Sequence, residues 1–153
     1  MLDQSDNPPM SRDEVVALLR ARGINPTQQR IEIAQLLLAR PQHLSAEQIL
    51  ALVNKERPLA SKATVYNTLR TFAEQGLINE VIVDPTRVLY DSNTGAHHHF
   101  YNLDTGTLMD VGVDQLSISA LPSLPEGTVA AGIEVIIRVR NAPGAQTESM
   151  QAV

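Results

Sequence analysis

Cysteine is absent from this 153-residue chain. That absence excludes disulfides, thiolate zinc sites, iron–sulfur clusters and cysteine nucleophiles together, so any bound metal must be held by nitrogen and oxygen. No apolar run approaches membrane-spanning length, and the opening MLDQSDNPPM is acidic and polar rather than basic and then apolar. The expectation is a soluble, cytoplasmic protein with no membrane partner. Internal repeats and low-complexity blocks are missing as well. With 43% hydrophobic residues, the chain can bury one ordinary core or two small ones.

A positive excess is also lacking, since the formal net charge is -5 at pH 7. The total hides a division along the chain. Residues 11–75 hold nine Lys/Arg against six Asp/Glu, while the remainder holds three against eleven. A mildly basic N-terminal half can approach phosphates, and an acidic C-terminal half suits cations. Charges scattered over solvated faces remain an alternative at this point.

What is present begins with helical punctuation. The first ten residues, with Pro8 and Pro9, read as a disordered leader. Ser11 stands three before Glu14, a capping-box pattern, and Val15, Val16, Leu18 and Leu19 supply an apolar face that ends at Gly23. Thr27 can cap a second helix carrying Ile31, Ile33, Ala34, Leu36, Leu37 and Leu38, which Pro41 stops. Ser45 can cap a third, through Ile49, Leu50 and Leu52 to about Lys55, before Pro58.

A fourth helix is framed by Ser61 and Gly76, with Val65, Leu69 and Phe72 at helical spacing. Its other face presents Lys62, Thr64, Tyr66, Asn67 and Arg70. These are groove-reading chemistries: amide and guanidinium forks for base edges, an aromatic for a thymine methyl, and cations for phosphate. An ordinary solvated face looks similar, but a short helix, a tight connection and a second amphipathic helix make helix-turn-helix grammar. Leu77 to Val83, the turn Asp84-Pro85-Thr86-Arg87 and Val88 to Tyr90 then read as a hairpin, the wing of a winged helix.

Three of the four histidines stand together in Ala96-His97-His98-His99-Phe100-Tyr101. Tags sit at termini, whereas this run lies inside alternating sequence that reads as strand. On a strand His97 and His99 share one face and His98 takes the other, so one face carries half a metal site. A partly exposed polar edge strand is the bland alternative. Segments 96–103 and 107–113 flank Asp104-Thr105-Gly106 as a second hairpin, and 113–123 holds a short apolar element cut by Pro122 and Pro125. Ile133, Val135, Ile137 and Val139 alternate with Glu134, Ile136, Arg138 and Arg140 as a long strand. So small and apolar a sheet is expected to be completed by a second copy. From residue 141 the tail reads as flexible.

Gly23-Ile24-Asn25-Pro26-Thr27-Gln28-Gln29-Arg30, His43-Leu44-Ser45-Ala46-Glu47, Ala63-Thr64-Val65-Tyr66-Asn67-Thr68-Leu69 and the histidine run followed by Leu103-Asp104-x-Gly106 come in this order. In order and spacing the chain resembles the ferric uptake regulator (Fur) family over roughly residues 11–140. The resemblance implies an α+β protein: a winged-helix DNA-binding domain over 11–91 and a small α/β dimerisation and sensing domain over 92–140. It places a regulatory metal on His43, Asp91, His97, His99 and Asp110, all competent ligands. Such a donor set suits Fe(II) or Mn(II) and can hold Zn(II) in vitro. Ligands on both sides of the domain hinge would let the ion favour one interdomain arrangement.

Departures from the family are equally informative. Its usual structural zinc uses two C-x-x-C pairs, but Asn102 and Thr105 stand at the first pair's positions and no second pair exists. No structural zinc held by four cysteines is expected, and dimerisation must rest on apolar packing. A basic residue common in the family for the minor groove is replaced by Asn25. A cysteine-free member with H-H-H-F-Y is most similar to the iron response regulator branch, which implies haem as an effector. The haem candidates are His97, His98 and His99, with Tyr101 a weaker donor.

The function expected is a homodimeric iron- or haem-responsive transcriptional regulator, not an enzyme. It would bind inverted-repeat operators of iron and haem metabolism genes. A peroxide-sensing or Mn/Fe-dependent repressor is the alternative within the family. Outside it stand a metal-dependent hydrolase or oxygenase on the same His/Asp cluster and a metal buffer that does not affect DNA.

Overall fold

Each of the four helices starts on a hydroxyl. In the computed structural model, which describes residues 8–144, they are α1 (Arg12–Ala21), α2 (Gln28–Leu38), α3 (Ala46–Val53) and α4 (Lys62–Glu74). Ser11, Thr27, Ser45 and Ser61 cap them, each side chain accepting from the backbone N–H three residues on. Such a cap contributes about 1 kcal/mol. Ser45 also closes a reciprocal box with Gln48, whose Oε1 accepts from Ser45 N at 2.9 Å. Gly23 and Gly76, at φ +71° and +73°, end α1 and α4 in the left-handed conformation. There Ile24 N returns to Leu19 O and Leu77 N to Phe72 O, which satisfies carbonyls left open at each helix end.

Helix α3 stops two residues short of the expected Lys55 because Asn54 takes over the chain. Its Oδ1 accepts from Leu59 N and Ala60 N, and its Nδ2 donates to Leu50 O and Ala60 O. The connection to α4 is thereby pinned. Val15, Leu19, Ile33, Ile49, Val65, Leu69 and Phe72, all fully buried, close the core among the helices. Burying each of the larger side chains stabilises the unit by roughly 1.5–3 kcal/mol.

The chain divides into two units after Thr94. The first also contains a three-stranded sheet of order β1-β3-β2: β1 (His43–Leu44), β2 (Asn79–Asp84) and β3 (Arg87–Asp91). The expected hairpin is β2–β3, its turn held by Asp84 Oδ1 accepting from Thr86 N and Thr86 Oγ1. Strand β1 is an addition that the sequence did not announce.

The second unit is the sheet β5-β4-β6: β4 (His97–Asn102), β5 (Leu108–Gly112) and β6 (Ile136–Val139). Strands β4 and β5 form the expected antiparallel hairpin, and β6 lies parallel to β4. The long strand expected over 133–140 is shorter because Val135 is diverted. Its N–H donates to His98 Nδ1 at 3.0 Å while its carbonyl accepts from His99 N. The apolar element expected over 113–123 is a single 3-10 turn, Val113–Gln115, followed by irregular chain. Among the described residues no helix is long and apolar enough to cross a membrane. The expected leader (1–10) and tail (141–153) lie mostly outside the described residues.

Candidate metal centre and nucleic-acid interface

Helix α4 presents Lys62, Tyr66, Asn67 and Arg70 to solvent, while Val65, Thr68, Leu69 and Phe72 face the core. The two sets are the two faces of one amphipathic helix. Lys62 Nζ stands 5.6 Å from the centre of the Tyr66 ring, a cation–π stack one helical turn apart. Thr64 differs from the other four. It is half-buried, and its Oγ1 accepts from Ser61 Oγ at 3.0 Å as part of the helix cap. Tyr66 also lines a groove with Ser45, Gln48, Thr86, Arg87 and Tyr90, between the start of α3, α4 and the hairpin. Burial, then the nearby Glu80 carboxylate, pushes the Tyr90 hydroxyl above its ordinary pKa, so it stays a protonated donor.

In the first unit, β1 runs antiparallel to β3 with His43 directly opposite Asp91. His43 Nε2 lies 3.3 Å from Asp91 Oδ2, and Asp91 is 1% exposed. Its other oxygen accepts from Asn93 N at 2.9 Å. Ser92 fastens the strand ends, its Oγ accepting from Gln42 N and donating to Arg40 O. A carboxylate this deeply buried requires partners or a cation.

In the second unit, His99 faces Asp110 across the β4–β5 ladder, and His97 is two residues along on the same face. Their rings meet edge to face at 4.6 Å. Both Nε2 atoms converge on Asp110 Oδ1, from 3.6 Å (His97) and 3.4 Å (His99). Their Nδ1 atoms face elsewhere: that of His97 is 2.5 Å from Gly95 O, and that of His99 is 3.0 Å from Glu134 Oε1. His98 points away, buried, with Nδ1 accepting from Val135 N. The strand alternation thus separates it from His97 and His99.

These donor sets fit a divalent ion. Charge-assisted N–H···O bonds are about 2.7–2.9 Å long, and the His–Asp separations of 3.3, 3.4 and 3.6 Å all exceed that. Bonds of about 2.1 Å to a shared metal leave neighbouring donors about 3.0 Å apart in an octahedron and about 3.4 Å in a tetrahedron. Imidazole and carboxylate donors without thiolate suit Fe(II), Mn(II) or Zn(II). Glu134 escaped sequence reading because it reaches His99 from a remote segment with no spacing rule. The Lys62–Tyr66 stack was accessible in principle from its four-residue spacing.

The model of the ferric uptake regulator family matches residues 21–122. The peroxide-responsive repressor PerR of Staphylococcus aureus strain Mu50 is 32% identical over 105 residues, covering 69% of this chain and 71% of that one. The ferric uptake regulator from Pseudomonas aeruginosa with manganese superposes with a TM-score of 0.64 at 23% identity, covering 86% of this chain and 98% of that one. The Campylobacter jejuni peroxide stress regulator gives 0.60 at 24% identity, covering 86% and 99%. With a family match across more than half its length and a relative above 30% identity, this chain belongs to the ferric uptake regulator family.

Proposed function

We propose that this chain, a member of a family of metal-responsive transcription regulators, acts as a homodimer that binds inverted-repeat operators through α4. Its DNA affinity answers to Fe(II) or Mn(II). His43 and Asp91 from the first unit and His97, His99 and Asp110 from the second would hold one ion together. The observation that carries this reading is the pair of strand registers, His43 opposite Asp91 and His99 opposite Asp110. Five residues lie between Asp91 and His97, and the six Cα–Cα steps limit the span between the two donor sets to about 20 Å. The bound ion would supply a fixed positive charge and directional bonds, and the chain's own contribution would be two donor sets, each arranged by the strand register of its own unit.

Lys62 and Arg70 would meet phosphate or guanine, and Tyr66 and Asn67 base edges. Dimerisation would rest on the second unit, where Met109, Val113, Leu121 and Ile133 are exposed. A peroxide-sensing role is the second reading, supported by the relative named peroxide-responsive repressor. Bound iron would supply the redox chemistry by which peroxide oxidises a neighbouring imidazole.

Operator affinity at fixed salt, measured with apo, Fe(II)-, Mn(II)- and haem-loaded protein, tests the proposal. A 5- to 150-fold difference between apo and metal-loaded protein corresponds to about 1–3 kcal/mol of coupling, and His43→Ala should abolish it. Metal binding that leaves DNA affinity unchanged would make the protein a buffer, and turnover would make it an enzyme. A peroxide arm read by mass spectrometry, with oxygen added at His43, His97 or His99, separates sensing of oxidant from sensing of metal.

A further inference from the structure

We propose that Glu134 is a positioning residue for His99, orienting that imidazole so that Nε2 is the nitrogen offered to the ion. The inference rests on the metal-centre reading above and names a residue outside the five ligands. A neutral imidazole has one N–H and one lone pair, and the partner of one nitrogen decides which is which. Glu134 brings a carboxylate to 3.0 Å from His99 Nδ1. An ionised carboxylate can only accept, so it selects the tautomer with the proton on Nδ1. The Nε2 lone pair is then left on the Asp110 side, where the His97 Nε2 also points.

The position of Glu134 follows from its neighbour. Val135 is held on both sides, its carbonyl by His99 N and its N–H by His98 Nδ1. The preceding side chain is delivered to His99 as a result. His98, facing away from the donor set, therefore serves the site through the backbone of Val135. The carboxylate stands at ion-pair distance but off the axis of the Nδ1–H; being 41% exposed, it has room to turn onto that axis. Hydrogen bonds at functional sites are often poorly aligned until the bound partner arrives, and this one would tighten on loading. His97 needs no such residue, since Gly95 O already faces its Nδ1. Histidines that bind metal depend on such outer partners, whose removal typically lowers metal affinity about 10- to 100-fold.

The test uses full-length wild type, Glu134→Ala and Glu134→Gln. Nitrogen NMR of the histidine rings in chelator reports the tautomers, and calorimetric titration with Mn(II) and Zn(II) reports affinity. Glu134→Ala should move His99 away from the Nδ1–H tautomer while His97 stays put, and should weaken both metals about 10- to 100-fold. Glu134→Gln, whose amide oxygen still accepts, should keep the tautomer and most of the affinity. A His99 tautomer unmoved by Glu134→Ala overturns the proposal, as does a shifted tautomer with unchanged metal affinity. Wild-type protein that binds neither metal overturns the metal centre itself and this inference with it. Wild type that binds while Glu134→Ala binds equally well overturns this inference alone. Loss of the His97 signal along with His99 would assign Glu134 a general structural role, which also rejects the proposal.

Discussion

Tyr66 is the residue on which the proposed reading face turns, because it is at once a groove wall and the seat of a cation. With Lys62 over its ring and about a third of its surface exposed, its ring would be oriented ahead of any duplex. The stack itself contributes only about 0.5–1 kcal/mol at an exposed position, so its value lies in pre-setting the ring. Tyr66→Ala and Arg70→Ala should each cost about 1–3 kcal/mol of operator binding if they read bases, and each should relax sequence preference. Lys62→Ala should weaken all sequences alike and reduce the salt slope by about one. Fluorescence anisotropy with operator and scrambled duplex, repeated over several salt concentrations, separates the two behaviours. An unchanged affinity in both Tyr66→Ala and Arg70→Ala would mean that α4 is not the reading helix. Thr64 makes a useful contrast. Sequence reading put it on the same face, yet its hydroxyl belongs to the Ser61 cap, so Thr64→Ala should be felt in helix stability more than in base recognition.

Strand by strand, legibility tracked length. The period-two alternation of β4 exposed His97 and His99 as one face and His98 as the other, because six residues suffice to show a period. Strand β1 has two residues and no period at all. Its existence depends on β3 offering an edge, so the partnership of His43 with Asp91 was reachable only through family resemblance. Strand β6 looked longer in sequence than it is, because no pattern reveals that a histidine ring will take the Val135 N–H. The β4–β5 turn shows what stands where the family's cysteines are missing. Asn102 Oδ1 accepts from Asp104 N and Thr105 N, and its Nδ2 donates to Asn141 Oδ1. Asp104 Oδ2 accepts from Asn141 N at 2.8 Å, and Arg140 adds an ion pair at 3.5 Å. These contacts tie the end of β4 to the residues that follow β6. Asn102→Ala removes three side-chain hydrogen bonds, each contributing about 0.5–1.5 kcal/mol, and should lower stability in urea by about 1.5–4.5 kcal/mol. Chelator should leave that difference unchanged. A difference that appears only when metal is present would assign the turn to a metal site instead.

Across the whole molecule, the division after Thr94 separates the large aliphatic core from a small sheet with little interior of its own. Two such units need not unfold together, since cooperativity requires shared interactions. An ion whose ligands came from both would provide one. Ligand binding to the native state at one hundred times its dissociation constant stabilises by about 2.7 kcal/mol, enough to move a melting transition by several degrees in a domain of this size. Differential scanning calorimetry in chelator should therefore show two transitions or one broad one, and saturating Mn(II) should draw them into a single, higher transition. The double variant His43→Ala/Asp91→Ala is the decisive one. It removes both proposed first-unit ligands and leaves His97, His99 and Asp110 in place, so any residual Mn(II) binding would stabilise the second unit alone and the transitions should remain apart. If this variant and wild type merge equally on adding Mn(II), the ion is held by the second unit without help, and any coupling between sensing and DNA reading must travel by another route.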